Sequence, residues 1–204
     1  MIGIVDYGLG NIRAFENIFR QKDMPYSILR SAADFNGVSH IVLPGVGAFD
    51  QAMLRLNASG MREILETKVQ VDGLPVLGVC VGLQIMMRSS TEGTVPGLNW
   101  IAGDVVRFQP PPGSTPLPIP HMGWNVARRT NNCGLLDGMG DTPNFYFLHS
   151  YHVRCDDVSD QIAKTDYMYG FACAVGRRNV YGVQFHPEKS HAAGVRLLAN
   201  FAGI

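Results

Sequence analysis

The chain has 204 residues, of which 46% are hydrophobic and 17% are charged. This composition is typical of a globular protein with a sizeable core, and it excludes an intrinsically disordered chain. The 17 basic and 17 acidic residues cancel to a formal net charge of zero, so the charge does not favour binding to nucleic acid or to an anionic membrane. We expect one domain over residues 1–204.

Cysteine spacing and hydropathy predict the cellular compartment of the protein. The cysteines Cys80, Cys133, Cys155 and Cys173 form no Cys-x-x-Cys pair, so the sequence does not support a zinc-ribbon or thioredoxin-like site. The first residues lack the basic segment of a secretory signal, and no run approaches the about 18 apolar residues of a membrane span. We therefore expect a cytoplasmic protein with reduced thiols.

The first half of the chain alternates short apolar segments with helical patterns. This alternation predicts a parallel sheet with helices on both faces. The predicted strands are residues 1–6, 26–29, 40–43 and 74–79, and the predicted helices are residues 12–22 (with Asn11 as the N-cap), 49–57 and 61–71. Because reactive groups gather at the carboxyl ends of such strands, we expect the loops after Asp6, after Leu43 and at Cys80 to lie together.

The second half has a more β-rich pattern. Residues 100–108 predict strands with a turn at Gly103, and residues 145–148 predict another strand. Residues 171–175 and 180–184 predict a hairpin, and residues 192–201 predict a closing helix. Closely spaced prolines indicate a surface loop over residues 109–120.

The most informative segment surrounds Cys80. An apolar strand pattern leads into Gly78-Val79-Cys80-Val81-Gly82, and an apolar run of helical character follows. A turn between a strand and a helix exposes a thiol, and a helix N-terminus lowers a thiol pKa. Some hydrolases hold their nucleophile on such a sharp strand-to-helix turn, which is called an elbow. The alternative is that Cys80 is a small buried hydrophobic residue, as most free cysteines are.

A second informative segment follows the last predicted strand. His186 is followed by Pro187, which ends strand pairing, and by Glu188. In an extended segment His186 and Glu188 lie on the same side, so the carboxylate can bind one imidazole nitrogen and select its tautomer. With Cys80 these residues supply the parts of a catalytic triad, which the fold has to bring together.

Two other kinds of site have less support. His186 and Glu188 supply two metal ligands, but a zinc or iron site needs more ligands at defined spacing. The remaining histidines near strand ends, or alone, match no established ligand spacing; they are His121, His149, His152 and His191. We expect neither a metal nor a cofactor. A serine nucleophile is not supported, because no Gly-x-Ser-x-Gly occurs.

A pair of glycines, Gly45 and Gly47, follows the third predicted strand. Glycines there allow backbone N–H groups to point into a site, where they can stabilise an oxyanion. The simpler interpretation is an ordinary strand-to-helix turn. The expected position at the same sheet edge as Cys80 favours the oxyanion hole.

The segment 78–84, together with His186-Pro187-Glu188, resembles the class I, triad-type glutamine amidotransferases. Within this family, segments along the whole chain are similar to the glutaminase subunits of imidazole glycerol phosphate synthase; these are residues 6–11, 44–49, 120–125, 149–151 and 184–190. The resemblance implies an α/β, flavodoxin-like fold: a central, mostly parallel sheet with helices on both faces and a smaller antiparallel sheet.

The resemblance also implies roles for individual residues. Cys80 would be the nucleophile that forms a glutamyl thioester, His186 the general base and acid, and Glu188 the carboxylate that orients it. The backbone of residues 45–47 would form or complete the oxyanion hole. The residues implied in oxyanion stabilisation and glutamine binding are Gly45, Val46, Gly47, Gln84, Ser150 and Tyr151.

The implied partner is a (β/α)₈-barrel cyclase subunit, which would form a heterodimer with this chain. It would receive the ammonia and make imidazole glycerol phosphate and aminoimidazole carboxamide ribotide, for histidine and purine synthesis. The residues implied to face it are Asn11, Trp124, Tyr146 and Lys189. Residues 95–101 and 189–191 also resemble a related branch that supplies ammonia for modified sugars of surface polysaccharides. The triad is identical in both branches, so the sequence leaves the ammonia acceptor open.

Overall fold

Short strands and helices alternate through the first half of the chain, as the apolar pattern predicts. The computed structural model describes residues 1–113 and 117–204. The strands up to residue 90 are β1 (Ile2–Val5), β2 (Tyr26–Leu29), β3 (His40–Gly45), β4 (Val76–Cys80) and β5 (Ser89–Ser90). The helices are α1 (Ile12–Gln21), α2 (Phe49–Ala58), α3 (Arg62–Glu66), α4 (Val81–Ile85) and α5 (His191–Ala202).

Strands dominate the second half. They are β6 (Gly103–Arg107), β7 (His121–Val126), β8 (Arg128–Arg129), β9 (Asn144–His149), β10 (Tyr151–Cys155), β11 (Gln161–Tyr167), β12 (Tyr169–Arg177) and β13 (Val180–Val183). Short 3₁₀ turns cover Ala32–Phe35, Gly134–Leu136, Val158–Asp160 and Pro187–Lys189. In the described part of the chain, no helix combines the length and apolar character that crossing a membrane requires.

The main sheet is mostly parallel on one side, and a smaller antiparallel sheet accompanies it. The strand order of the main sheet is β2-β1-β3-β4-β13-β12-β10-β6-β5. Neighbours from β2 to β13 run parallel, whereas β12, β10 and β6 continue the sheet with antiparallel pairing. β7 and β9 form the separate two-stranded antiparallel sheet. The predicted fold class is confirmed.

Helices cover both faces of the main sheet. The consecutive residues Tyr181 and Gly182 of β13 point to opposite faces, because side chains alternate along a strand. The Tyr181 ring centre lies 6.4 Å from that of Phe201 in α5. On the other face, a Cβ added to Gly182 would lie 2.3 Å from Leu83 Cδ1 in α4. The sheet is therefore packed between helices, which explains why its parallel strands are almost entirely apolar.

The loops at the carboxyl ends of β1, β3 and β4 meet, as predicted. Gly45 at the end of β3 is paired with Cys80 at the end of β4. Tyr7, which follows β1, donates its hydroxyl to the carbonyl oxygen of Pro44 at 2.8 Å. Burial, together with the nearby Cys80, raises the pKa of Tyr7 above its usual range. The neutral phenol of Tyr7 therefore connects the loop after β1 with the end of β3.

Two helix predictions need correction. Asn11 occupies the N-cap position of α1, but its side chain makes no capping hydrogen bond. The helix predicted over residues 61–71 is α-helical only in α3, and it continues as a wider π-helical turn over Thr67–Val71. In this turn the Val69 carbonyl accepts a hydrogen bond of 2.8 Å from the Asn179 side chain. Asn179 is distant in sequence, so the pattern of residues 61–71 carries no sign of it.

The prediction of strands on both sides of Gly103 was wrong. Only β6 is a strand, and the N–H groups of Trp100 and Ile101 instead donate to the Met86 carbonyl beyond α4. The sequence prediction also did not identify β7, β10 and β11, or the two-residue strands β5 and β8. The proline-rich loop predicted over residues 109–120 falls partly on residues 114–116, which lie outside the described residues.

Gly82→Ala is expected to destabilise the fold by at least about 3 kcal/mol, because the added methyl group cannot be accommodated. A Cβ at this position would lie 1.9 Å from the backbone oxygen of Leu43. The matched control is Gly134→Ala, whose Cβ meets no atom closer than 3.8 Å. It should remain within about 1 kcal/mol of the wild type. Urea unfolding measures both free energies, and equal midpoints for Gly82→Ala and the wild type would contradict this packing.

Candidate active site

Cys80 lies on a strained elbow between β4 and α4. Its backbone has φ 55° and ψ −112°, a region that non-glycine residues rarely adopt. The residue is only 5% exposed, yet it lines a pocket of about 310 Å³. Its Sγ lies 3.8 Å from Gln184 Nε2 and 4.0 Å from the carbonyl oxygen of Leu148. The elbow therefore holds the sulfur in one position, at the wall of a pocket.

His186 and Glu188 form a buried pair beside this sulfur. His186 Nδ1 lies 2.9 Å from Glu188 Oε1, and the two side chains are 5% and 2% exposed. Burial lowers the pKa of His186, but hydrogen bonds to Cys80 and Glu188 and the electrostatic attraction of both groups outweigh it and raise the pKa to about 9. These contacts therefore favour the protonated form of the imidazole.

The backbone around His186 fixes the direction of its ring. The His186 N–H donates to the carbonyl of Tyr146 in β9 at 2.9 Å. The Ser190 hydroxyl donates to the carbonyl of His186 at 2.6 Å and accepts from the Tyr146 N–H at 3.0 Å. The 3₁₀ turn that begins at Pro187 brings Glu188 back towards the ring. β9 thus holds His186 from outside the main sheet.

The pocket collects most of the residues that the sequence predicted for glutamine binding. Those that line it are Val46, Gly47, Gln84, Ser150 and Tyr151. Gly47 has φ +89°, which favours glycine. Gly45 is buried in β3 next to the elbow, where its added Cβ would lie 2.3 Å from the N atom of Gly82. Gly45 therefore supports the pocket from behind, through close packing.

Gln84 and Gln184 connect the elbow to the opposite wall. Gln84 Nε2 donates to the carbonyl of Tyr151 at 3.2 Å and to Gln184 Oε1 at 3.1 Å. Both glutamine residues are almost completely buried. These bonds set the orientation of both amides, and the amide nitrogen of Gln184 consequently faces Cys80 Sγ. The sulfur therefore has a polar neighbour inside the pocket wall.

Three of the four predicted partner-facing residues form one group near the pocket. Trp124 is paired with Tyr146 across β7 and β9, and it is 47% exposed. Lys189, which lines the pocket, holds its Nζ 5.8 Å from the centre of the Tyr146 ring. Asn11 is exposed at the start of α1, a helix that packs against the Pro187–Lys189 turn.

The sequence reasoning did not identify Glu92, which also lines the pocket. Its carboxylate accepts a hydrogen bond of 2.8 Å from the N–H of Phe49, the first residue of α2. In return, Asp50 accepts from the N–H groups of Thr94 and Val95 at 2.9 Å and 3.0 Å. These three hydrogen bonds join residues 92–95 to α2, the helix that follows the Gly45–Gly47 loop. No motif in the sequence marks Glu92, because its partners are distant along the chain.

The histidines outside the pair with Glu188 bind other groups. His121 and His149 are hydrogen-bonded to each other, and His149 also bonds to the Tyr151 carbonyl. His152 bonds to the Val153 carbonyl and to the Tyr169 hydroxyl. Across residues 1–113 and 117–204, no cluster of at least three His, Cys, Asp or Glu residues is arranged to hold a metal ion.

Comparison with known proteins identifies the family. The chain matches the model of glutamine amidotransferase class-I over residues 4–203. It is 52% identical over 204 residues to imidazole glycerol phosphate synthase subunit HisH of Bdellovibrio bacteriovorus, and the alignment covers both chains completely. It is 45% identical to the subunit HisH of Leptospira borgpetersenii, again over the full length of both. A Pseudomonas aeruginosa protein named subunit HisH 2 is 40% identical, with complete coverage of both chains.

Solved structures agree on the fold. A glutamine amidotransferase structure superimposes with a TM-score of 0.76 at 16% identity, and the match covers 100% of this chain and 99% of the other. A chain from the structure of PurLQS from Thermotoga maritima gives a TM-score of 0.69 at 16% identity, covering 99% and 97%. Taken with the full-length sequence relatives, these matches mean that the chain belongs to the class I glutamine amidotransferase family and, within it, to the glutaminase subunits named HisH of imidazole glycerol phosphate synthase.

Proposed function

We propose that this chain is a single, cytoplasmic amidotransferase domain that hydrolyses glutamine through Cys80, His186 and Glu188. One observation carries the proposal: a cysteine on a strained elbow lines a pocket beside a histidine whose ring a buried carboxylate holds at 2.9 Å. The raised pKa of His186 favours the imidazolium form beside the sulfur. The same imidazolium already carries the proton that a leaving ammonia needs.

The proposed reaction has two steps. The sulfur of Cys80 attacks the carboxamide carbon of glutamine, and the C–N bond breaks as His186 protonates the leaving nitrogen. A thioester and ammonia result. The now neutral His186 takes a proton from water, whose oxygen attacks the thioester and releases glutamate. Backbone N–H groups of residues 45–47 stabilise the negative oxygen in both steps.

The proposed substrate contacts follow from the polar groups around the pocket. Gln84 supplies a hydrogen-bonding group from the elbow helix, and Ser150 and Tyr151 supply such groups on the wall that faces it. Glu92 is the acidic residue of the pocket lining, so we assign it the α-ammonium group of glutamine. A charged amine prefers a carboxylate because charge-assisted hydrogen bonds are stronger than neutral ones.

The proposed partner is a (β/α)₈-barrel cyclase subunit that receives the ammonia. Large apolar side chains are exposed around the pocket mouth: Met122 is 66%, Trp124 47% and Leu148 36% exposed. Such a patch is typical of a protein interface. Together with Tyr146, Lys189 and Asn11, it would form the face of a heterodimer. The names of the full-length relatives support this acceptor over the polysaccharide pathway.

The test of the function is a glutaminase assay with and without the cyclase. We expect slow glutamine hydrolysis by the isolated chain and a large increase when the cyclase and its nucleotide substrate are added. Ammonia should then appear in imidazole glycerol phosphate rather than in solution. A chain that hydrolyses no glutamine under either condition would overturn the proposal. Stimulation by a sugar-modifying synthetase, and not by the cyclase, would support the alternative acceptor.

Cys80→Ala is expected to reduce glutamine hydrolysis by at least about 10⁴-fold, because no other group forms the thioester. The variant should still bind the cyclase. Cys133→Ala is the matched control, since Cys133 is a partly exposed free thiol away from the pocket. Assays of the assembled complex compare the two. Substantial hydrolysis by Cys80→Ala, or loss of activity in the control, would contradict the assignment.

Glu188→Gln is expected to lower the pKa of His186 and the rate of glutamine hydrolysis, the latter by at least about tenfold. The folded-state pKa of about 9 lies above the ordinary 6.5, so the charged pair stabilises the fold fully below pH 6.5. It loses this contribution as the pH rises through 9. A ring-nitrogen NMR titration measures the shift, with Glu66→Gln, at a partly exposed glutamate that pairs with Arg62, as the control. An unchanged titration in Glu188→Gln would show that the carboxylate does not act on His186.

A further inference from the structure

Two buried histidines outside the triad face each other across the small sheet. His121 in β7 and His149 in β9 are directly paired in the register of the two strands. They are 3% and 6% exposed, and His121 Nδ1 lies 3.0 Å from His149 Nε2. His149 lines the pocket, whereas His121 is not among the described residues that do so. The pair therefore connects the wall of the pocket, at His149, with β7, the strand that also carries Trp124.

Neighbouring groups determine where each proton lies. His149 Nδ1 is 2.7 Å from the carbonyl oxygen of Tyr151, which only accepts, so Nδ1 carries the proton. Burial lowers the pKa of His149 to about 3 and that of His121 to about 4, so both rings are neutral. His149 Nε2 must then accept, and His121 Nδ1 must donate to it.

Asn125 completes the assignment on the other side. Its Oδ1 accepts from the N–H of Val126 at 2.8 Å, which fixes the orientation of the amide. Its Nδ2 donates to the carbonyl of Asp166 at 2.8 Å and lies 3.2 Å from His121 Nε2. Because a neutral imidazole has one donor and one acceptor, His121 Nε2 accepts here and His121 Nδ1 donates to His149. The bonds run in one direction, from Asn125 to the Tyr151 carbonyl.

This series of hydrogen bonds ends at the wall of the pocket that we propose binds glutamine. The Tyr151 carbonyl accepts from His149 and also from Gln84 of the elbow helix, at 3.2 Å. A change at His149 therefore changes what holds the peptide group that carries this carbonyl. Ser150 and Tyr151 adjoin that point, and both line the pocket.

Aromatic packing holds the rings in place. His121 is stacked against Tyr167, with ring centres 4.1 Å apart, and against Phe147, at 4.8 Å. His149 lies 5.3 Å from the ring centre of Phe108. In these apolar surroundings a hydrogen bond is strong, and an unpaired nitrogen is costly. The arrangement has few alternative states.

We propose that His121 and His149 form a neutral, one-way hydrogen-bond relay that holds the Tyr151 carbonyl and positions Ser150 and Tyr151 for glutamine. His121 is then a positioning residue, which acts on substrate binding through His149 without touching the substrate. This inference rests on the proposed glutaminase function. The competing explanation is that the two histidines only fill the core, in which case neither their tautomers nor substrate affinity depends on the bond.

NMR spectroscopy of the full chain with ¹⁵N-labelled histidine tests the proton positions in the wild type. At pH 7 we expect the rings of His121 and His149 to be neutral with the proton on Nδ1, the less populated tautomer of a free histidine side chain. His152, whose Nδ1 lies 3.1 Å from the Val153 carbonyl, should give a third signal of this kind. His121→Asn and His149→Asn assign the signals of the pair by removing them. A ring with its proton on Nε2, or a charged ring, at either position would overturn the relay. The tautomers are read from the wild type, and the variants serve only to assign its signals.

Kinetics of the complex with the cyclase test the consequence for substrate binding. His121→Leu leaves His149 Nε2 unpaired, and we expect the KM for glutamine to rise about tenfold or more while kcat changes much less. Asparagine places an amide N–H near the position of Nδ1, so His121→Asn should recover most of the affinity. His40→Leu, at a partly buried histidine on β3, controls for the loss of an imidazole elsewhere.

The outcomes separate the two proposals. A wild-type complex that does not hydrolyse glutamine defeats the proposed function itself. A wild-type complex that is active, with His121→Leu folded and showing the wild-type KM, defeats only the relay. An equal rise in KM for His40→Leu would also count against it. If His121→Leu fails to fold, the tautomers observed in the wild type decide.

Discussion

The backbone conformation of Cys80 is the constraint on which the rest of the site depends. A φ of 55° is unfavourable for a residue with a side chain, so it persists only where the surrounding structure enforces it. Close packing does so here, because α4 approaches the end of β3 so closely that Gly82 has no room for a Cβ. The parallel pairing of β3 with β4 places Gly45 beside Cys80, so the elbow and the glycine loop are built as one unit.

The strand β9 joins this unit to the remaining parts of the site. Its Tyr146 carbonyl binds the His186 backbone, its Leu148 carbonyl lies near the sulfur, and its last residue is His149. β9 pairs with β7 and not with the main sheet, so it depends on the small sheet for its position. That sheet also carries the exposed Trp124. The exposed Trp124 and part of the wall of the pocket therefore belong to the same pair of strands.

The parallel half of the fold was predictable because its strands are buried on both faces, and continuous apolar runs such as Ile2–Val5 and Val76–Cys80 have no other stable place. The strands β7, β10 and β11 were not predicted, because they are partly exposed and mix histidine, arginine and lysine with apolar residues. The π-helical turn after α3 escaped prediction for another reason: the Asn179 side chain that binds its Val69 carbonyl comes from the turn between β12 and β13.

By itself the sequence determined the local parts of the site: a cysteine between closely spaced glycines, and a histidine two residues before a glutamate. These depend on residues that are neighbours in the chain, so their spacing is sufficient to predict them. Only the tertiary structure decided which groups surround them, including Glu92 in the pocket, Gln184 at the sulfur and the contact between His121 and His149. It also decided the direction in which the pKa of His186 is shifted, because burial and contacts between distant segments set a pKa, and neither can be read from spacing.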